Sequence, residues 1–214
     1  MRLTEKYRPR TLDDVVGQPK AVATVRGILA RGGFGGRCVW LSGPSGAGKT
    51  TLARIIAAEV ADPTCTVELV ARDLGAERLA ELAESFTYYG FGKGGRALIV
   101  NEAHGLRSDQ IERLLTLTED LPGHVVVIFT TTREGQEALF QDHDDASPLL
   151  SRCIRVPLTN QGLSKAFAER VSEIAKAEGL DGQPIDAYVK LAQRCKNNCR
   201  AMLQEVEAGA MIPA

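Results

Sequence analysis

The stretch GPSGAGKT, Gly43 to Thr50, sets three glycines, a lysine and a threonine in the spacing G-x-x-x-x-G-K-[ST]. Glycines at those places let the backbone wrap an anion with its N–H groups, and a helix opening at the same point adds the positive end of its dipole. Lys49 is placed to reach the β- and γ-phosphates of a nucleotide and Thr50 to ligate Mg²⁺. ATP and Mg²⁺ are the expected ligands. The expected binding stretch runs through Gly43, Pro44, Ser45, Gly46, Ala47, Gly48, Lys49, Thr50 and Thr51.

A second stretch, RALIVNEAHGL from 96 to 106, is an apolar run that ends in Asn101 and Glu102. Hydrolysis at a phosphate needs a carboxylate here, at the strand end that faces the phosphates. Glu102 can orient and polarise an attacking water. Asn101 can accept a hydrogen bond from a Mg²⁺-bound water through its amide oxygen, but it brings no charge. The loss is on the order of 1–2 kcal/mol, the difference between a charge-assisted and a neutral hydrogen bond. That is about a tenfold effect on metal hold or rate, which implies a slower ATPase more than a dead one.

These residues need a scaffold that brings two strand ends together. Short β-branched runs at 39–41, 67–70, 97–100 and 125–129 predict buried strands, with CIRV at 153–156 a fifth. Helical stripes lie between them: Leu52, Ile55 and Ile56; Leu79, Leu82, Ala83 and Phe86; Ile111, Leu114, Leu115 and Thr118. Strand alternating with helix predicts an α/β domain over 1–157, a parallel five-stranded sheet with flanking helices. After Pro157 only helical stripes follow, on Phe167, Val171 and Ile174, on Ile185, Tyr188 and Ala192, and on Met202, Leu203 and Val206. They predict a small all-helical lid domain over 158–214.

Composition narrows the function. A net charge of -1 excludes a strongly basic protein that coats nucleic acid by charge alone. The longest apolar runs fall well short of the roughly 20 residues that span a bilayer, and the N-terminus has no apolar core of a secretory signal. A cytoplasmic protein with no membrane partner is expected. The five cysteines form no C-x-x-C pair and read as reduced thiols, mostly buried. DHDD at 142–145 reads as a solvated loop, and Tyr88, Tyr89 and Phe91 as aromatics packing on their own glycine-rich turn.

With these residues in hand the chain resembles the AAA+ ATPases, and within them the clamp-loader subunits of the replication factor C and bacterial gamma/tau type. The resemblance covers about residues 4 to 208. EKYRPRTLDDVVGQ (5–18) is similar to their N-terminal signature, which implies that Val15, Val16 and Gly17 surround the adenine. FTTT (129–132) resembles the end of their sensor 1 strand, making Thr131 the candidate to hold the γ-phosphate or its attacking water. PLLSRC (148–153) carries their Ser-Arg-Cys motif, which makes Arg152 an arginine finger acting in trans in a neighbouring subunit's site. Arg200, in NNCRAMLQEVE, falls at the sensor 2 position.

The implied function is ATP-driven assembly with other AAA+ clamp-loader subunits on primer–template DNA and loading of a sliding clamp. Two other readings stand beside it: a nucleotide-dependent scaffold with little hydrolysis, and a related AAA+ DNA repair or recombination ATPase. The chain departs from the family pattern at Asn101, lacks the zinc-binding cysteines of the bacterial type, and shows no collar domain after the lid. Arg152 and Arg200 could also be ordinary surface arginines, and His104 reads as structural rather than as a base.

Overall fold

The computed structural model describes residues 1–132 and 146–212. Five strands, β1 (Arg37–Ser42), β2 (Thr66–Val70), β3 (Arg96–Asn101), β4 (Val125–Thr131) and β5 (Cys153–Pro157), form one sheet in the order β2-β3-β4-β1-β5. Every pairing is parallel. The central strand β4, VVVIFTT, is buried along its whole length, which is why it reads as an unbroken apolar run.

The two faces of the sheet follow from the alternation of side chains along each strand. Trp40, Leu98, Val100, Val127 and Phe129 point to one side, where they meet α4 (Ala76–Phe86), α5 (Ser108–Glu119) and α6 (Ala146–Ser151). Val39, Leu41, Ala97, Ile99, Val126 and Ile128 point to the other, against α2 (Pro19–Leu29) and α3 (Lys49–Val60). The apolar runs announce all five strands. Helix α2 falls outside the helical stripes read from the sequence, although Pro19 at its start and a stripe of Ala21, Val22, Val25 and Ile28 mark it.

Beyond Pro157, helices α7 (Ser164–Ala177), α8 (Ile185–Arg194) and α9 (Cys199–Glu207) build a third core around Phe167, Val171, Ile174, Tyr188, Leu191, Met202, Leu203 and Val206. One detail departs from a division at 157. Leu3, on the single-turn helix α1 (Leu3–Lys6), is buried in this third core, with Tyr7 and Val16 packed against it. The Leu3 N–H donates to Glu207 Oε1 at 3.3 Å, and Lys6 pairs with Glu178 at 2.5 Å. The first residues therefore belong with the helical unit, because Leu3 and Tyr7 lie four apart and share one helix face.

Among the described residues the cysteines are free thiols, no group of histidine, cysteine and acidic side chains could hold a metal, and no helix is long and apolar enough to cross a membrane. The DHDD stretch lies outside the described residues.

Candidate nucleotide site

Strand β1 ends at Ser42, and the chain curls through residues 43–48 before α3 starts at Lys49. Two glycines are needed for close approach. A Cβ on Gly43 would stand 2.6 Å from the Leu158 carbonyl oxygen, and one on Gly46, at φ +76°, would stand 1.9 Å from Asn198 Oδ1. The loop is thus gripped from behind by the start of the helical unit and from above by the turn that opens α9. Lys49 is buried, and its Nζ donates to the Gly43 and Pro44 carbonyls at 2.8 and 2.9 Å, across the loop.

Beside the loop, the strand order places β3 next to β4, so the ends of β1 and β3 flank the end of β4. Asn101 is the meeting point. Thr50 Oγ1 and Thr130 Oγ1 both donate to Asn101 Oδ1, at 3.2 and 2.9 Å, and Asn101 Nδ2 donates to Glu68 Oε1 at 2.9 Å. Glu68 is held in turn by Arg54, at 2.7 Å from Nε and 3.2 Å from Nη2. The Thr50 hydroxyl and the Asn101 amide oxygen are hard oxygen donors side by side, with a carboxylate behind them, and this donor set fits Mg²⁺.

Glu102 sits next along the chain in a left-handed conformation, φ 55°, which a non-glycine residue adopts at a cost. Its Oε2 lies 3.4 Å from His104 Nε2, and His104 Nδ1 lies 3.2 Å from Thr131 Oγ1. The imidazole therefore ties the acidic residue to the end of β4, a structural part whose partners the sequence did not name. Thr131 is fully buried and turned toward His104, whereas Thr132 and Glu102 line the cleft. Strand alternation sets the side chains of neighbouring residues on opposite faces, which puts Thr132 on the cleft side and Thr131 against His104.

Across the cleft, Val15 and Val16 form a wall with Tyr7, Arg8 and Pro9. Gly17 lies beneath, at φ +80°, where a Cβ would meet Leu163 Cδ1 at 3.0 Å. Its neighbour Gln18 is buried and carries three bonds: Nε2 donates to the Ala47 and Thr159 carbonyls at 3.2 and 2.6 Å, and Oε1 accepts from Thr159 N at 3.2 Å. Arg8 Nη1 donates to Thr51 Oγ1 at 3.2 Å. The helical unit closes the cleft with Phe167, Arg170, Cys199, Arg200 and Leu203. Ser45 to Thr51, Glu102, Val15, Val16 and Arg200 thus share one cleft.

Arg152 does not line this cleft. It follows α6, where its Nη2 pairs with Glu119 Oε1 at 2.7 Å and its Nη1 donates to the Pro148 carbonyl at 3.2 Å. The aromatic turn lies before β3, at the end of the sheet opposite the loop; Tyr89 stacks on His124 with ring centroids 4.2 Å apart, and Phe91 is 84% exposed.

The stretch that carries the sheet and the phosphate loop matches a family model. The chain belongs to the AAA family, ATPases associated with various cellular activities, whose model covers residues 39–157. Within it, the chain is similar to a replication factor C small subunit from Natronomonas pharaonis, at 28% identity over 97% of this chain and 62% of that protein. A Haloarcula marismortui small subunit is 30% identical over 83% of this chain and 53% of its own length. The DNA polymerase III subunit gamma/tau of Mycobacterium tuberculosis is 31% identical over 62% of this chain and 27% of that protein. Among solved structures, a variant of Thermotoga maritima RuvB superposes with a TM-score of 0.74 at 25% identity, covering 94% of this chain and 64% of that one. The chain spans less than two thirds of the length of these relatives.

Proposed function

We propose that this chain is a clamp-loader-like ATPase subunit, which binds ATP with Mg²⁺ between the sheet edge and the helical lid and couples its hydrolysis to assembly on primed DNA and to loading of a sliding clamp. The observation that carries this reading is the convergence of Lys49, Thr50, Glu102 and Arg200 on one cleft. Lys49 and the N–H groups of the loop would hold the phosphates, with Thr50 and Asn101 on the metal side. Mg²⁺, when bound, would neutralise charge on the terminal phosphates. Glu102 would orient a water for in-line attack at the γ-phosphorus and take its proton as the bond to the β-phosphate oxygen breaks. Thr132 and Arg200 would hold the γ-phosphate from opposite sides.

Arg152 would complete a neighbouring subunit's site. Its place outside its own cleft, and its pairing with an exposed Glu119, support a role in trans. The partners proposed are other AAA+ clamp-loader subunits, a sliding clamp and primer–template DNA.

Phosphate release measured at rising protein concentration, with and without primer–template DNA, tests the reading. Turnover per chain should climb with both. In mixtures, an Arg152→Ala chain should rescue a Lys49→Ala chain of the same protein if each contributes a different half of a shared site. Turnover independent of concentration and DNA would sink the loader reading. The second reading, a nucleotide-dependent scaffold, draws on the uncharged Asn101; it is favoured if ATP binds and drives assembly while turnover stays at background.

A further inference from the structure

The neutral Asn101 has a charged neighbour that the linear sequence places 33 positions away. Glu68 pairs across β2 and β3 with Ile99, and Val70 pairs with Asn101, so Glu68 and Asn101 are diagonal neighbours. A carboxylate can only accept hydrogen bonds, so the nitrogen of the Asn101 amide must face Glu68 and its oxygen must face Thr50 and Thr130. Helix α3 contributes at both ends of this relay. Thr50 and Arg54 are four residues apart on one helix face, the first bonded to Asn101 and the second to Glu68. Thr50, Asn101, Glu68 and Arg54 thus close a ring through the backbone of α3.

Resting on the proposed ATP and Mg²⁺ site, we infer that Glu68 supplies through Asn101 the negative charge that position 101 lacks, and is the positioning residue of the metal side. A carboxylate accepting from the amide N–H pulls charge toward the amide oxygen and makes it a stronger acceptor for a metal or a metal-bound water. The same contact explains the asparagine. An aspartate at 101 would set a second carboxylate about 2.9 Å from Glu68, where two like charges repel. The acid has moved one strand over, and Asn101 passes its charge on. Arg54 fixes the Glu68 carboxylate but also draws off part of its charge, so the effect is a graded one.

The full chain is titrated with a fluorescent, non-hydrolysable ATP analogue at increasing Mg²⁺, and its melting temperature is recorded without nucleotide. For Glu68→Gln, the half-saturating Mg²⁺ concentration should rise about tenfold, the scale of a lost outer-shell partner, while Mg²⁺-free affinity stays at the wild-type value. The double variant Glu68→Gln with Asn101→Asp should recover the wild-type Mg²⁺ response, since the charge returns to position 101 and the new amide at position 68 can donate to it. Asn101→Asp alone should melt lower than the double variant in the absence of Mg²⁺. A role in structure only would lower the Glu68→Gln melting temperature without moving the Mg²⁺ response, and that result overturns the inference, as does failure of the double variant to recover. If the wild-type chain binds no nucleotide, the proposed function itself fails and the inference falls with it.

Discussion

At the scale of single residues, the proposed chemistry rests on Glu102. Its left-handed backbone aims the carboxylate at the cleft beside His104, and a glutamine can hold the same shape. Glu102→Gln should therefore bind nucleotide with near wild-type affinity while phosphate release falls about 10²- to 10⁴-fold, the range that general-base catalysis contributes. Equilibrium binding and single-turnover release on the same preparation separate the two. The motif residues were legible in the sequence because they are contiguous: Gly43 to Thr50 needs no partner to be recognised. Glu68 was not, and His104 was read as structural without its partner, since these contacts reach side chains 33 and 27 positions away. That Thr132 and not Thr131 lines the cleft depends on the phase of one strand, which composition does not reveal.

Among the elements, the sheet was the easiest part to read. Parallel strands covered on both faces are short apolar runs, and each of the five runs became a strand. Helix α1, at four residues, is too short to show any period. The links between elements were hidden in the same way, and Gln18 is the clearest case. Its side chain joins the phosphate loop at Ala47 to the crossing into the helical unit at Thr159. The bond to the Ala47 carbonyl is buried, so Gln18→Ala should cost about 1–3 kcal/mol of stability, the penalty for one orphaned buried group. Urea unfolding measures it. Nucleotide affinity should fall as well, because the loop loses its tether.

Over the whole molecule, the N-terminal segment straps the helical unit to the cleft. The Glu178 carboxyl is held below the usual carboxylate range, first by the hydrogen bond from Lys6 and next by that from Tyr7. A lowered folded-state pKa means that the stabilisation is complete above the unfolded carboxylate value, about 4.3, and is lost as pH falls through the folded value. Protection of the amides of residues 3–7, taken against the intrinsic exchange rate at each pH, should therefore fall as acid is added below about pH 4, ahead of protection in β4. Glu178→Gln should show the lower protection already at neutral pH. A further consequence follows from Trp40, the one tryptophan of the chain, which lies in β1 at 1% exposure with its ring 5.4 Å from that of Phe129. Its emission is a native optical probe of the sheet alone, whereas far-ultraviolet ellipticity sums over sheet and helical unit together. If the strap, Gln18 and the Gly46–Asn198 contact bind the two units into one cooperative fold, the two signals melt together; if they do not, the ellipticity falls first while the indole emission holds its native value.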